Sequence, residues 1–357
     1  MKKNFVIFAI MLALIFSCLA VISCKSEDVN GATEDVAAAT QEPSEQATEE
    51  APKATDSKDK TNNQSSQSSS DKNNTNKDKQ ALIEELLDTR HELRADENGE
   101  FKVVVMSDIQ GSDSHVPIPQ SVLDNIKTIV DREKPDLIVF DGDNTNGLHS
   151  ESAYRQYIGE MVSYIEESKI PWAHVYGNHD HEGGISKEKQ SEIYSEFEYC
   201  VSKVGTVSGV GNFVLPVLSY DGSKILYNVW CIDSGSYISL SKYDITLDSG
   251  DYSMGAYDYI KPDQIEWYRE TSALLEEYNG AKIPAIMAFH IPLRETADAW
   301  AIKDKYNLEY TGVKRENIGS SSINSGMFAA VIERGDVKAI VNGHDHINDF
   351  MIKQSSS

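Results

Sequence analysis

The chain has 357 residues, enough for one large or two ordinary domains. Lys and Arg number 33 against 57 Asp and Glu, a formal charge of −24. That balance argues against nucleic acid as a partner, since phosphate backbones are gripped by basic patches, but bound divalent cations would still let it take a small anionic substrate.

The N-terminus reads as a processing signal. Lys2 and Lys3 form a basic start and Phe5 to Leu19 is almost wholly apolar, the pattern of a secretory leader over residues 1–23. The run closes on Val21-Ile22-Ser23-Cys24, which resembles a bacterial lipobox with Cys24 as the lipidated first mature residue. Cys18 is a weaker second candidate, and an uncleaved anchor is the alternative. Each reading places the rest of the chain at the bacterial cell envelope, lipid-anchored to the outer face of the membrane or extracellular. Losing Lys2 and Lys3 takes the charge from −24 to −26. Residues 24–80 have almost no large apolar side chains, so they cannot offset the entropy of ordering and read as a disordered low-complexity tether. A flexible chain of that length has an r.m.s. reach of roughly 40 Å.

Residues 81–357 form the folded part. Ala81 to about Arg94 reads as a short amphipathic helix. A strand over Phe101–Ser107 ends on Asp108. A helix over Pro119–Glu133 puts Val122, Ile126, Ile129 and Val130 on one face, and Pro135 stops it. A second strand, Asp136–Phe140, runs into Asp141-Gly142-Asp143. The helix Ser152–Ser168 carries Tyr154, Tyr157, Ile158, Met161, Val162 and Ile165 at helical spacing, and a third strand, Pro171–Tyr176, ends on Gly177. This β-α-β-α-β order predicts a sheet layered with helices.

The middle changes character. Residues 186–201 look helical. Asn212–Leu218 and Lys224–Ile232 read as strands joined through Tyr220-Asp221-Gly222-Ser223, a hairpin signal. Residues 234–261 read as a long loop over the site edge. Pro262 opens a helix to Tyr278, and Ile283–Phe289 is a strand ending on His290. A loop to about Gly319 and a short helix, Ser325–Arg334, precede the last strand, Val337–Val341, and Gly343-His344-Asp345-His346. Of four Cys, Cys200 and Cys231 lie in the folded part. An extracellular setting permits a disulfide between them, and the spacing leaves that open.

Singly, the residues just past the strand ends have bland explanations. Asp108 and Asp143 suit turns, Asn178 suits a left-handed turn position, and His290 suits a satisfied core imidazole. As an ordered set they resemble the calcineurin-like metallophosphoesterase superfamily. The motifs are Asp108-Ile109-Gln110, Gly142-Asp143, Gly177-Asn178-His179-Asp180, Phe289-His290 and Gly343-His344-Asp345-His346. The resemblance spans about residues 101 to 351. Ile170-Pro171-Trp172-Ala173 and Asn348-Asp349 resemble the branch with Dcr2-type and purple-acid-phosphatase-29-like proteins.

The resemblance implies an α/β fold, a four-layer α/β/β/α sandwich of two mixed sheets, with a dinuclear metal site at one sheet edge. It implies two divalent metal ions, Mn, Zn or Fe. Asp143 would bridge them. Asp108 and His346 would complete one metal with help from Gln110, and Asn178, His290 and His344 the other. A metal-bridging hydroxide would attack the phosphoester. His179 would donate to the leaving-group oxygen or steady the phosphoryl oxygens, with Asp180 orienting its imidazole. A small phosphorylated substrate follows, with monoesters favoured. A phosphodiesterase of nucleotides or lipid headgroups and a non-catalytic surface-binding lipoprotein are the alternatives. Among the other histidines, His174 reads as packed, His91 and His149 as bystanders, and His115 and His181 as residues at the mouth.

Three departures qualify the resemblance. Gln110 stands where the commonest pattern has His, and its amide is a neutral, weaker ligand. Asn146 stands where purple acid phosphatases carry a Tyr ligand, so tyrosinate-to-iron colour is not expected. Few residues follow His346, which reads as a truncated form or fragment, with Asp345, Asn348 and Asp349 shaping the turn that presents the two histidines.

Overall fold

The computed structural model describes residues 6–9, 19–24, 68–239 and 256–354, with side chains described from residue 77 onward. In chain order its elements are β1 (Val6–Ala9), β2 (Leu19–Cys24), α1 (Ser68–Leu87), β3 (Leu93–Arg94), β4 (Phe101–Met106), α2 (Gln120–Glu133), β5 (Leu137–Asp141), α3 (Glu151–Glu167), β6 (Trp172–Val175), α4 (Lys187–Tyr194), β7 (Phe213–Leu218), β8 (Ile225–Cys231), α5 (Pro262–Asn279), β9 (Ala285–Ala288), α6 (Arg294–Tyr306), β10 (Tyr310–Val313), α7 (Met327–Arg334), β11 (Val337–Val341) and β12 (Asp349–Ile352).

Two five-stranded mixed sheets hold the core. The first has the order β1-β2-β4-β5-β6 and the second β11-β9-β8-β7-β3. In the first, β4, β5 and β6 run parallel while β1 and β2 are antiparallel additions. In the second, β7 and β8 form the antiparallel hairpin and the remaining pairs are parallel.

Side chains alternate along these strands and sort into three apolar cores. Val103, Val105, Leu137, Val139, Ala173 and Val175 of the first sheet meet Phe213, Leu215, Val217, Val229, Cys231 and Ile286 of the second. The intervening residues Val104, Met106, Ile138, Phe140 and Trp172 turn outward against Ile126, Tyr157, Met161 and Tyr194 of the helices. On the far side, Val214, Trp230 and Met287 pack on Ile265, Tyr268, Leu275 and Val331. Strands buried on both faces must be apolar at nearly every position, which is why they read as continuous runs. The result is the four-layer α/β/β/α sandwich expected from the sequence. Each fully buried large side chain contributes roughly 1.5–3 kcal/mol.

The structure corrects several boundaries. α1 begins at Ser68, inside the stretch read as tether, and ends at Leu87. Ile83 is buried, and Leu86 and Leu87 pack on the core beneath the second sheet, whereas Leu93–Arg94 pairs with β7. Residues 27–81 cluster as a unit of their own, of which 68–81 are described, as helix. α4 is shorter than the 186–201 read from sequence because Cys200 bridges to Trp172, with Val201 N–H donating to the Trp172 carbonyl. Cys200 and Cys231 are free thiols in different cores.

α6 and β10 fall in the segment read as loop, β12 follows His346 where no element was read, and β10 pairs with β12 as a separate ribbon. In the uncleaved chain, the run expected to be a leader pairs along β4 through β2. The Cys24 side chain, expected to be lipidated, lies outside the described residues, as do residues 25–67 of the expected tether. No helix among the described residues is long and apolar enough to cross a membrane.

Candidate metal centre

The site forms where β4, β5, β6, β9 and β11 all end. Asp108, Gln110, Asp143 and His344 have positive φ, between 48° and 74°, and make up four of the seven non-glycine residues in that region among those described. Such turns cost on the order of 1–3 kcal/mol each and persist where the surroundings hold them. Here they turn the chain sharply just past β4, β5 and β11, three of the five strand ends that meet at the site.

Asp143, His290 and His344 place ligand atoms within 4.8 Å of one another, and so do Asp108, Asp143 and His346. Asp143 belongs to both groups. His290 Nε2 is 3.1 Å from Asp143 Oδ2, and His346 Nε2 is 3.5 Å from Asp108 Oδ1. His290 Nδ1 lies 2.8 Å from the Asp141 carbonyl, a bond that fixes the ring with Nε2 facing the centre. The His344 backbone N–H donates to Asp108 Oδ2 at 3.0 Å, tying the last loop to the first.

Asp108 Oδ1, Asp143 Oδ2, Asn178 Oδ1 and His290 Nε2 are buried without an aligned hydrogen bond. Leaving such atoms unsatisfied costs about 1–3 kcal/mol apiece. Carboxylate, amide and imidazole donors converging this way are the set that a pair of divalent cations takes up, so these residues fit the group. Gln110 Nε2 stands 2.9 Å from His346 Nε2, which brings its amide beside that imidazole, and a half-turn would present the oxygen.

His179 sits beside this cluster, not in it. Its backbone N–H donates to Asp143 Oδ1 at 2.8 Å, and its Nε2 is 3.9 Å from Asp143 Oδ2. The Asp180 carboxylate was expected to orient this ring and has a different task. Oδ2 accepts the N–H groups of Asp143 and Gly177 at 2.9 and 2.7 Å, and Oδ1 accepts that of Thr145 at 2.9 Å. Asp180 therefore staples the loop after β5 to the loop after β6 and sets the position of Asp143. Gln190 of α4 donates in turn to the Asp180 carbonyl at 2.6 Å. The carboxylate near the His179 ring is Glu182, whose Oε2 is 2.9 Å from Nδ1.

Residues 101–348 match the calcineurin-like phosphoesterase family. The chain belongs to that family. It is 33% identical to "Probable inactive purple acid phosphatase 14" of Arabidopsis thaliana over 73% of this chain and 69% of that one. It is 32% identical to "Probable inactive purple acid phosphatase 29" of the same plant, over 73% and 70%. "Phosphatase DCR2" of Saccharomyces cerevisiae is 26% identical over 74% of this chain and 47% of its own length. The branch read from the sequence is thus present among its distant relatives.

The electrostatics of the candidate centre follow from its burial. Burial alone would discharge His290, but Asp143 and Asp108 hold a proton on it and raise it to about 10. Burial also opposes the charge on Asp143, yet the His290 cation keeps that carboxyl below the usual range. Burial raises Asp108. Burial and then the neighbouring His290 lower His344 to about 3.

The other histidines fall as read for the most part. His174 is buried and stacked on Tyr194, and His149 is exposed and pairs with Asp113. His91 stacks on Tyr199. The ends of the long loop do reach the site, and residues 240–255 of it lie outside the described residues. Tyr237 accepts from Asn178 Nδ2 at 2.8 Å and donates to Glu182 Oε1 at 3.2 Å. Burial raises Tyr237 to about 12, so it remains a phenol able to donate. Tyr257 meets the His344 ring edge-on at 4.4 Å. Sequence reasoning missed Glu182, Tyr237, Tyr257 and the buried Asp141. For Glu182 the signal was its place three residues after His179 in a turn, and the others carried none.

Proposed function

We propose that this chain hydrolyses a phosphoester, with a small monoester favoured. The observation that carries the reading is the pair of ligand groups interlocked through Asp143. Asp108, Asp143, His346 and Gln110 would hold one divalent cation, and Asp143, Asn178, His290 and His344 the other. Cations bound there supply Lewis acidity and lower the pKa of water at neutral pH, the usual metal contribution to phosphoester cleavage. The chain's own residues do the rest. Asp180 locks Asp143 against Gly177 and Thr145. The Asp141 carbonyl keeps the ligating nitrogen of His290 turned inward. His179, partly exposed beside the cluster, faces a leaving-group oxygen with Nε2 and hands it a proton.

A second reading, a fold kept for binding, is favoured by Gln110 and by the names of the two plant relatives. Assay of the purified chain loaded with Mn, Zn or Fe separates the two. Hydrolysis of p-nitrophenyl phosphate that falls on the order of 10³-fold in Asp143→Ala supports catalysis, that being the scale of losing a main electrostatic contributor. No hydrolysis of mono- or diesters at any pH, with Asp143→Ala indistinguishable, supports binding.

A further inference from the structure

We propose that Glu182 is the positioning residue of His179, and that Tyr237 braces Glu182 while touching the metal ligand Asn178. The proposal rests on the phosphoester reading above and adds residues to it. His179 offers two ring nitrogens. Nε2 looks to the centre, 3.9 Å from Asp143 Oδ2, while Nδ1 is buried and has the Glu182 carboxylate 2.9 Å away. The carboxylate stands off the N–H axis, as catalytic pairs do before substrate closes the site.

The local chain enforces this pairing. Glu182 N–H donates to the His179 carbonyl at 3.0 Å, a turn that brings the carboxylate back over the ring. Gly183 lies so close to the Leu148 carbonyl that any Cβ there would collide with it, so the turn is pinned from outside. Glu182 Oε1 accepts the Tyr237 hydroxyl at 3.2 Å, and that hydroxyl accepts from Asn178 Nδ2 at 2.8 Å. Asn178, Tyr237, Glu182 and His179 therefore form one continuous chain of polar contacts. A solvated ion pair at i, i+3 would be worth little on its own. A buried Nδ1 and a tyrosine holding the second oxygen are not features of such a pair.

With the Glu182 carboxylate beside Nδ1, Nε2 is the nitrogen left to exchange a proton with substrate. In the doubly protonated ring the Nε2–H bond breaks as the P–O bond to the leaving oxygen breaks and the O–H bond of the alcohol forms, the now neutral ring keeps its Nδ1 proton, and solvent restores the other. Tyr237 lies at the base of the long loop, whose ends are joined by the Ile238 N–H to Ala256 carbonyl bond of 2.7 Å. The brace therefore connects that loop to the proton donor.

The test compares p-nitrophenyl phosphate, whose leaving group departs without a proton, with glycerol phosphate, whose alkoxide needs one. In the zinc-loaded full chain, Glu182→Ala lowers kcat on glycerol phosphate about 10- to 100-fold, the range for a partner that orients a site residue. On p-nitrophenyl phosphate it changes kcat by about threefold at most, with KM and metal content unmoved. Glu182→Gln, which still accepts from Nδ1, recovers part of the loss. Tyr237→Phe gives a smaller loss of the same leaving-group selectivity that disappears in the Glu182→Ala background. Equal loss on both substrates, or none on either, overturns the proposal. Nitrogen-15 NMR of the His179 ring supplies a readout independent of turnover. At a pH where the ring holds a single proton, that proton on Nδ1 in the native chain, and not in Glu182→Ala, supports the pairing, whereas a singly protonated native ring with its proton on Nε2 overturns it. If the native chain hydrolyses neither substrate the phosphoester reading fails, and the ring tautomer alone decides this inference.

Discussion

His174, inside β6, and His290, just past β9, are both buried imidazoles, and their surroundings drive them in opposite directions. His290 faces Asp143 and Asp108 and keeps its proton to about pH 10. His174 meets the Tyr194 ring at 3.7 Å and Ser202 Oγ at 2.8 Å, with no acid beside it, and burial lowers it to about 3. Its folded value thus lies below the unfolded one near 6.5. Stability from the neutral ring is complete above pH 6.5 and is lost as pH falls toward 3, at about 1.4 kcal/mol per pH unit. Urea unfolding of the native chain should show this term amounting to about 2 kcal/mol between pH 6.5 and 5.0. His174→Gln should have a flatter acid limb by that amount, whatever its stability at neutral pH. Parallel limbs would show that His174 titrates freely in the fold. Sequence separated these two residues only in part. Alternation within β6 marked His174 as packed, while His290 gained meaning from its place in an ordered set of motifs. Glu182 could not be read because its role depends on a turn closing back over His179.

At the scale of elements, the site exists because five strands stop at one edge and the chain turns immediately afterwards. Gly343 shows how little room the last turn has. A Cβ there would run into Ser107 Oγ and stand 2.7 Å from Asp108 Oδ2. Gly343→Ala should push the His344–His346 segment away from Asp108 and weaken metal binding about 10- to 100-fold, with the fold retained. Calorimetric titration of the metal-free chain measures this directly, and an unchanged affinity would mean the turn yields without moving the ligands. β4, β5, β6 and β9 were legible because burial on both faces leaves continuous apolar runs, as in Leu137–Phe140. α6, β10 and β12 were not legible. Of α6 only Ala297 and Ala299 are buried, and every residue of β10 is exposed, so neither has a periodic apolar face to read. The start of α1 was missed for a related reason, since its first turns are polar throughout.

At the scale of the molecule, a chain of formal charge −24 gathers further carboxylates at one sheet edge. Asp108 and Asp143 line the centre, and Asp141 is fully buried behind it, with burial raising its pKa well above the usual value. An anionic substrate could not approach such an edge unless positive charge were held there. The two mixed sheets suit that by bringing candidate ligands from the ends of β4, β5 and β6 on one side and β9 and β11 on the other to a common point. A dinuclear centre shared through Asp143 is the central claim, and metal content per chain tests it most directly. After loading and exhaustive dialysis, the native chain should retain about two divalent ions. Asp143→Asn should fall below about one, because both ligand groups lose their shared member. A native chain holding less than about one ion, or an Asp143→Asn chain holding as many as the native, would contradict it.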